Sequence, residues 1–283
     1  HVIYGLVGLK THCKVCLIIR REPDGIRRYI HMSTGNYNDA TARLYTDIGL
    51  LTCDEEIGFD ISALFNVLTG YSNPPHWHKI EVAPTGLRSR LIHLIQREAK
   101  RSTKNQPGRI IAKMNSLVDQ EIISHLYRAS RDGVQIDLIV RGICCLRPGL
   151  PKISKNIRVI SIVDRFLEHS RIFYFKNGGN DELYLSSADW MPRNLDRRVE
   201  LFFPAEDKTV KKEVLEVLTA ALDDTVKARV LQPDGTYVRV SSKKKKPLRS
   251  QEALYRGACQ AVEAQEKKKK RIFIPLKGQK ETK

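Results

Sequence analysis

The sequence predicts an α/β protein with a mixed sheet, built as two domains of ordinary size and a basic tail. Strand-like apolar runs alternate with segments whose apolar residues recur at helical spacing. The 283 residues are 41% hydrophobic, which suffices for two cores. The clearest break is Tyr71-Ser72-Asn73-Pro74-Pro75, so we predict a first domain over residues 1–75, a second over 76–242 and a tail over 243–283.

The first domain is predicted to be mostly β-structure, because its apolar residues alternate along the chain. The predicted strands are Val2–Val7, Thr11–Ile19 and Arg28–His31, with a turn at Pro23-Asp24-Gly25. The predicted helices are Ala40–Tyr45, with Asp39 as N-cap, and Ile61–Leu68. Since a domain rarely begins within a strand, we expect this chain to be part of a longer protein whose first domain is cut short here.

The second domain is predicted to alternate helices and strands. The helical spacing covers 87–102, 119–133 and 208–222, and the strand-like runs are 110–114, 134–140, 157–162, 172–175, 183–185 and 197–203. Strands that alternate with helices in this way predict an α/β fold with a mixed sheet.

The chain is strongly basic, with a formal net charge of +17. Nucleic acid, an anionic membrane surface and a polyanionic substrate are therefore candidate partners. Much of the excess lies in the tail, at 243–246 and 267–271, where a run of charge is typical of a solvated segment. The remaining basic residues concentrate around the two motifs described below.

Composition also limits the setting of the protein. No apolar run approaches the roughly 20 residues that span a bilayer, and the first residues lack the features of a secretory signal. Cys13-x-x-Cys16 has metal-ligand spacing, but no second pair completes a zinc site. We interpret the cysteines as ordinary buried thiols in a reducing, cytoplasmic compartment.

Two stretches of the sequence share one pattern of polar residues on either side of an apolar strand. The first is Thr11-His12-Cys13-Lys14 followed by Ser33-Thr34-Gly35-Asn36, and the second is Glu168-His169-Ser170-Arg171 followed by Ser186-Ser187-Ala188-Asp189. The offset from the histidine to the first serine is 21 residues in one copy and 17 in the other. The repetition predicts two related halves of one site.

Histidine followed two positions later by a cation suits the transfer of an anionic phosphoryl group. One imidazole attacks, the other handles a proton, and the cations stabilise the phosphate oxygens. A lone histidine beside a strand is more often structural, but the second copy favours a catalytic role for both His12 and His169. Lys14 and Arg171 are the corresponding cations, and Glu168 is a candidate for orienting an imidazole.

Three further residues are candidate phosphate ligands. Arg141 follows a buried strand, at the kind of strand end where α/β proteins bind ligands, although a surface salt bridge is the alternative. Gly35 would let the backbone approach a ligand, and Asn36 can hydrogen-bond a phosphate or an imidazole. Tyr45 brings either a hydroxyl to a phosphate or a ring to the core.

The longest motifs resemble the bacterial polyphosphate kinase family of the first type. In order, they are Gly8–Lys14, Ser33–Asn38 with Thr41–Asp47, Val140–Leu146, and Phe166–Arg171 through Leu185–Met191. The resemblance covers roughly residues 2–205. The catalytic half of that family resembles a pair of phospholipase D-like domains, so the resemblance implies two such domains here, the first truncated at its N-terminus.

The resemblance also implies roles for single residues. His12 matches the autophosphorylated histidine of the family, and Tyr45, Arg141 and His169 match its nucleotide-phosphate contacts, with His169 also a proton donor or acceptor. The implied reaction is reversible transfer of the γ-phosphoryl group of ATP to the end of inorganic polyphosphate, with Mg²⁺. The polyanion would run through a basic tunnel.

This sequence departs from the wider superfamily and is shorter than the family. Ile19 and Lys176 stand where a phospholipase D motif has aspartate, and Arg171 replaces its lysine, which argues against a generic phosphodiesterase. Family members carry preceding domains that contain the magnesium-contacting arginines. We therefore expect no metal ligand in this stretch and an incomplete site in it alone.

Two other functions remain open at the level of sequence. A phospholipase D-like nuclease or phosphodiesterase would share the phosphohistidine logic without needing ATP. A non-catalytic polyanion-binding module would lose affinity steeply with salt for any polyanion. We further expect a cytoplasmic homo-oligomer without a specific nucleic-acid partner, and we leave peripheral membrane association open.

Overall fold

The computed structural model describes residues 1–73, 76–240 and 246–269, which form one large and two small sheets with helices around them. The strands are β1 (Lys10–Thr11), β2 (Lys14–Glu22), β3 (Gly25–Ser33), β4 (Tyr45–Thr46), β5 (Gly49–Thr52), β6 (Glu81–Ala83), β7 (Arg109–Met114), β8 (Gln135–Val140), β9 (Ile157–Ile162), β10 (Leu167–Glu168), β11 (Arg171–Phe175), β12 (Glu182–Ser186), β13 (Arg198–Pro204), β14 (Ala228–Leu231) and β15 (Tyr237–Arg239). The helices are α1 (Asp39–Ala42), α2 (Glu55–Leu68), α3 (Leu87–Arg101), α4 (Gln120–Arg131), α5 (Pro192–Arg197), α6 (Lys208–Leu222) and α7 (Ser250–Lys269).

The large sheet has the strand order β1-β13-β12-β11-β7-β8-β9-β14-β15, with β6 beside β13. Strands β7, β8 and β9 are parallel, whereas β11, β12 and β14 run antiparallel to their neighbours. The small sheets are β2-β3-β5 and the parallel pair β4-β10. This mixed sheet confirms the predicted α/β class.

Both faces of the large sheet are buried, because side chains alternate between two apolar cores along each strand. Ile110 and Ala112 pack with α3 and α4, whereas Ile111 packs against the core that contains α2 and α6. Ile122 and Leu126 of α4 are fully buried, as their helical spacing predicts. Because β7, β8 and β9 are parallel and β11 is antiparallel to β7, the ends of β7, β8 and β9 and the start of β11 lie at one edge of the sheet. The faces of the sheet are covered, so this edge is where side chains are free to form a site.

Several predicted elements near the start of the chain are wrong in their limits. The predicted strand Val2–Val7 is absent: Tyr4 is fully exposed, and Gly5 and Gly8 have positive φ of 86° and 81°, which turns the backbone out of extended geometry. The N-cap of α1 is Asn38 rather than Asp39, since its side chain accepts from Thr41 N at 2.9 Å.

Two further limits differ because side chains end or begin the elements. Helix α1 stops at Ala42, which places Tyr45 in β4 rather than at the end of a helix. Helix α2 begins at Glu55 instead of Ile61, because the Asp54 carboxylate accepts from the backbone of the first turn.

The start of the tail is anchored to the second domain, whereas most side chains of the described helix beyond it, at 252–266, are exposed. Helix α7 begins at Ser250, and the buried carboxylate of Asp224 accepts from both the backbone N and the Oγ of Ser250 at 2.8 Å. Arg249 donates two hydrogen bonds to Asp164, at 2.6 and 2.7 Å. Residues 241–245 and 270–283, which hold much of the predicted lysine-rich charge, lie outside the described residues.

The Cys-x-x-Cys spacing does not form a buried pair. Cys13 is partly buried, which raises the pKa of its thiol to about 11, but Cys16 is exposed. Within 1–73, 76–240 and 246–269, no group of three or more His, Cys, Asp or Glu side chains is arranged to hold a metal ion. The same residues contain no helix with the length and apolar character to cross a bilayer.

Candidate active site

The two sequence motifs are one structural unit built twice. Lys14 at the start of β2 is the register partner of Ser33 at the end of β3, and Arg171 at the start of β11 is the register partner of Ser186 at the end of β12. Each unit is therefore a hairpin whose first residue is the cation and whose last residue is the first serine of the loop. The differing offsets follow from the longer first hairpin, which has nine-residue strands against five in the second.

The loops after these hairpins also match bond for bond. Thr34 exchanges two hydrogen bonds with Ile48, from its backbone N to Ile48 O and from Ile48 N to its Oγ1, both at 3.0 Å. Ser187 makes the same two bonds with Leu201, again at 3.0 Å. The residues that precede Ile48 and Leu201 therefore occupy equivalent positions in the two units, and both are carboxylates.

The carboxylate that precedes Leu201 is Glu200, and it holds His12. Its Nδ1 lies 2.9 Å from Oε2 of Glu200, whose side chain is fully buried, and Ser187 Oγ donates to the same carboxylate. Burial lowers the pKa of His12 and outweighs the opposing effect of Glu200. The imidazole is thus neutral near pH 7, with its proton assigned to Nδ1 by this bond and the Nε2 lone pair left for a substrate.

The carboxylate that precedes Ile48 is Asp47, and it holds His169 in the same way. Its Nδ1 lies 2.8 Å from Oδ1 of Asp47, which also accepts from Thr34 Oγ1 at 2.9 Å. On the other side of the ring, Arg171 donates to Nε2 at 2.9 Å, and the ring of Tyr45 packs against the imidazole with centroids 4.9 Å apart. Both nitrogens of His169 are therefore engaged by protein groups.

The orienting carboxylates are exchanged between the two units. His12 of the first hairpin is held by Glu200 after the second, and His169 of the second hairpin is held by Asp47 after the first. Each histidine reaches its correct tautomer only when the two units lie together. We call His12, Lys14 and Glu200 the His12 half-site, and His169, Arg171 and Asp47 the His169 half-site.

Glu168 does not orient an imidazole, contrary to the sequence prediction. Its carboxylate pairs with the buried Lys113, at 2.8 Å, and accepts from Gln251 Nε2 of α7 at 2.7 Å. The reason is geometric, because neighbouring residues of a strand point to opposite faces, so that Glu168 faces away from the ring of His169.

The two cations differ in their partners. Arg171 forms a double hydrogen bond with the buried carboxylate of Asp189, at 3.1 and 2.9 Å. The equivalent loop position in the first unit is Asn36, which carries no charge and is exposed. Lys14 is 7% exposed, and its Nζ is buried without a hydrogen-bond partner among the described residues.

This isolation changes the acidity of Lys14. Burial lowers its pKa to about 8, although the charge of Glu200 acts in the opposite direction and Arg171 adds to the lowering. A buried cation without a hydrogen-bonded partner among the described residues is costly unless an anion lies beside it. Asp189 behaves differently: burial acts to raise its pKa, but Arg171 and two backbone N–H groups lower it overall.

The structure assigns Gly35 a role other than the predicted approach of a ligand. A Cβ at this position would collide with the carboxylate of Asp47. Glycine is needed so that Asp47 can lie against the loop and reach His169. Asn36 makes no hydrogen bond to another described residue and faces solvent next to this loop.

Arg141 lies at the same sheet edge but away from the histidines. It follows β8, two strands from β11, which corresponds to about 10 Å. Its guanidinium forms no ion pair with a described residue and lines a cavity of about 650 Å³. The predicted alternative of a surface salt bridge is not what the described residues show.

Sequence reasoning missed the two residues that complete the half-sites and one cation beside them. Asp47 stood within a quoted motif without a role, and Glu200 is the one charged residue in the apolar run Val199–Phe203. A lone carboxylate in a buried strand was the available signal. Arg198 lies at the position equivalent to Tyr45, with its Nη1 3.9 Å from Glu200, and burial lowers its pKa.

The hairpin unit built twice and the paired histidine and carboxylate sites define the class, an α/β protein with a mixed sheet and a two-part histidine site. The same fold is found in phosphatidylserine synthase of Haemophilus influenzae, with a TM-score of 0.50 and 11% identity over 83% of this chain and 68% of that chain. Such a level of identity shows the fold alone.

The chain belongs to the polyphosphate kinase family. Residues 1–74 match the family model "Polyphosphate kinase C-terminal domain 1", and residues 80–251 match "Polyphosphate kinase C-terminal domain 2". The sequence-based recognition of the family is thereby confirmed. The predicted domain limits stay a prediction, because the large sheet joins the two matched segments through β1 and β13.

Curated and solved relatives agree with this assignment. A polyphosphate kinase of Synechocystis is 59% identical over 84% of this chain, and one of Halalkalibacterium halodurans is 54% identical over 89%. The crystal structure of polyphosphate kinase from Porphyromonas gingivalis superposes with a TM-score of 0.86 and 41% identity over 91% of this chain. The chain spans 33% and 36% of the two curated relatives and 40% of the crystallised one.

Proposed function

We propose that the full-length protein containing this chain transfers the γ-phosphoryl group of ATP reversibly to the end of inorganic polyphosphate, through a phosphate carried on His12. The observation that carries the proposal is the state of the His12 half-site. The imidazole is neutral, its Nδ1 is held by Glu200, and a buried cation without a hydrogen-bonded partner, Lys14, lies two residues away.

The chemical step follows from this arrangement. The lone pair on Nε2 of His12 forms a bond to the γ-phosphorus while the bond to the bridging oxygen breaks, and that electron pair leaves on ADP. Glu200 accepts the hydrogen bond from Nδ1, so that the proton stays on the imidazole, and its charge offsets the positive charge that develops on the ring. In the second step a terminal oxygen of polyphosphate forms the new P–O bond, and the N–P electron pair returns to His12.

Lys14 supplies charge stabilisation to the transferred group. The three equatorial oxygens of the phosphoryl group carry the charge in the transition state, and a cation in a dry site acts on them more strongly than in water. The lowered pKa of Lys14 rises when a phosphate binds beside it, because a nearby anion favours the charged form.

His169 has a second, distinct role in the proposal. Its Nε2 accepts from Arg171, so a phosphate that draws the guanidinium away leaves this nitrogen to accept or donate a proton. Tyr45, Arg171, Asn36 and Arg141 are the remaining proposed contacts of nucleotide or polyphosphate oxygens; the family resemblance implies this role for Tyr45 and Arg141.

Magnesium is proposed to enter with the nucleotide. The described residues do not offer a protein-based site, since Asp47, Glu200 and Asp189 are each engaged with a histidine or an arginine. Mg²⁺ bound to ATP would neutralise phosphate charge during transfer. No step above depends on a metal ligand from this chain.

The setting of the protein is also part of the proposal. We infer ATP or ADP and inorganic polyphosphate as its partners, homo-oligomeric assembly, and a cytoplasmic location with peripheral membrane association left open. Lys14, whose Nζ has no hydrogen-bond partner among the described residues, and Arg141, which forms no ion pair with them, support a polyanionic substrate, and no feature of the half-sites supports a sequence-specific nucleic-acid partner.

The test uses the full-length protein with γ-labelled ATP and Mg²⁺. We expect acid-labile, alkali-stable label on the protein and its loss in His12→Ala. His93→Ala is the matched control, because His93 is exposed on α3 and none of the charged groups that act on it belongs to a half-site, and it should label like the parent. Undiminished label in His12→Ala would overturn the assignment of the nucleophile.

Two other outcomes would support the competing functions. Hydrolysis of a model phosphodiester without ATP-dependent polymer synthesis would favour a phosphodiesterase. Equal, salt-sensitive affinity for DNA and polyphosphate that is unchanged in His12→Ala and His169→Ala would favour a binding module.

A further inference from the structure

A second cationic surface extends from Arg141 away from the histidines. The cavity of about 650 Å³ beside Arg141 opens along the outer strands of the large sheet. Its polar lining comes from the end of β8, from β9 and from the β14–β15 hairpin. The residues that matter here are Arg141, Ser161, Lys227, Arg229, Tyr237 and Arg239.

Four of these residues form a continuous row across the sheet. Ser161 Oγ donates to Arg141 O at 3.2 Å, Ser161 of β9 is the register partner of Arg229 of β14, and Arg229 is the register partner of Arg239 of β15. Adjacent strands lie about 4.8 Å apart, so the row spans roughly 14 Å from Arg141 to Arg239. We call Arg141, Arg229 and Arg239 the arginine row.

The row places like charges directly opposite each other. Arg229 and Arg239 are cross-strand partners in an antiparallel pair, an arrangement that destabilises a sheet. Folding alone therefore does not explain this pair, whereas a bound anion between the two side chains would turn the repulsion into attraction.

The arginine row also lacks the counter-charges that other arginines of this chain have. Arg97 pairs with Glu182, and Arg249 pairs with Asp164. None of the three arginines of the row forms an ion pair or a side-chain hydrogen bond with a described residue. Lys227, also at the cavity, lies 3.8 Å from Asp164, whose carboxylate is already held by Arg249 at 2.6 Å.

We propose that the arginine row binds the extended phosphate chain of inorganic polyphosphate and guides it along the sheet edge that carries His169. This inference rests on the proposed function and adds to it a path for the polymer. A row of cations repeated at strand spacing suits a ligand whose charges also repeat along a line. A single phosphate or a compact nucleotide would use one end of the row only.

The chemistry of the cavity also favours polyphosphate over single-stranded nucleic acid. Nucleic-acid channels of this kind add several aromatic rings on which successive bases stack. Tyr237 is the one aromatic side chain among the described residues that line this cavity. Charge without stacking selects for a polymer made of phosphate alone.

The test compares Arg229→Ala/Arg239→Ala with the parent in the full-length protein. We expect affinity for long polyphosphate to fall by about tenfold or more, and the slope of log affinity against log salt to become shallower by roughly two. Affinity for tripolyphosphate and the rate of His12 labelling from ATP should stay within about twofold. The control Arg131→Ala/Lys212→Ala removes the same charge from exposed helical positions and should bind like the parent.

Further readouts separate this inference from its alternatives. The double variant should unfold at the same or higher denaturant concentration, because a repulsive pair is removed; a clear loss of stability would show a structural role and overturn the inference. Unchanged polyphosphate affinity, an equal loss for tripolyphosphate, or an equal loss for single-stranded DNA would overturn it as well. Equilibrium binding needs no catalysis, so failure of His12 to label would refute the proposed function while leaving this result readable.

Discussion

The two half-sites have the same architecture but differ in how their cations are paired. In each, a hairpin presents a cation, the loop after it binds a carboxylate, and that carboxylate holds the histidine of the other unit. In the His169 half-site the guanidinium is neutralised by Asp189 and caps Nε2 of the ring. In the His12 half-site no described residue forms a hydrogen bond with the ammonium of Lys14. The repeated unit fixes the geometry of both half-sites, and one loop position, Asn36 or Asp189, sets whether the cation has a carboxylate beside it.

The difference at that loop position has a direct chemical consequence. Asp189 pairs with the cation of the second half, whereas Asn36 leaves the cation of the first half without a carboxylate at this loop position. Two histidines with the same orientation can therefore act as nucleophile and as proton-handling group without competing for the same step.

Asp189→Asn should have the largest effect, because it leaves the buried guanidinium of Arg171 without its carboxylate. Breaking a buried pair from one side costs about 3–5 kcal/mol. We expect this loss in the free energy of unfolding, measured by urea titration. Asp39→Asn, an exposed carboxylate of α1, should change it by less than about 0.5 kcal/mol. Equal stability of the two variants would show that the second half does not depend on this pair.

Glu200→Gln should slow the labelling of His12 by about a hundredfold, since a glutamine neither fixes the Nδ1 proton nor offsets charge on the ring. Asp47→Asn should affect labelling less, because Asp47 serves His169. The initial rate of protein labelling from ATP measures both. A larger defect in Asp47→Asn than in Glu200→Gln would exchange the roles assigned to the two histidines.

Asn36→Asp should make the first half resemble the second. A carboxylate at this loop position would give Lys14 a counter-charge and compete with phosphate, so we expect the KM for ATP to rise about tenfold. Asn38→Asp adds the same charge two residues away, where aspartate remains a good N-cap for α1. If both variants raise KM alike, the effect is general repulsion and the comparison of loop positions fails.

The pH dependence of substrate binding should reveal Lys14. Its pKa is lowered to about 8, so the side chain is cationic below this pH and loses its charge as pH rises through it. We expect the KM for ATP to increase about fivefold between pH 8 and 9. Lys14→Arg keeps the charge at these pH values and should flatten this limb. A parent enzyme whose KM stays constant to pH 9 would contradict the assignment.

The fold class and the repeat were readable from sequence because both depend on local patterns. Lys14 and Arg171 begin their hairpins and Ser33 and Ser186 end them, so the motif spacing reflects strand register directly. Apolar periodicity likewise located α3, α4 and α6 within one or two residues. These features need no knowledge of distant contacts.

The carboxylates could not be assigned in this way. Asp47 lies 122 positions from the histidine that it holds, and Glu200 lies 188 positions from its own. Local reasoning selected Glu168 instead, because it is adjacent to His169 in sequence. The start of α7 was not predicted for a similar reason. The composition around it is rich in lysine, and the buried amide of Gln251 donates to Glu168, which is far away in sequence.

The exchange of carboxylates also makes the two histidines cooperative. Because each imidazole–carboxylate bond joins the two units, a displacement that separates the units acts on both bonds. The same contact between the two units orients both imidazoles. A motion that separates the two units would move both carboxylates away from their histidines, and closure would restore both contacts.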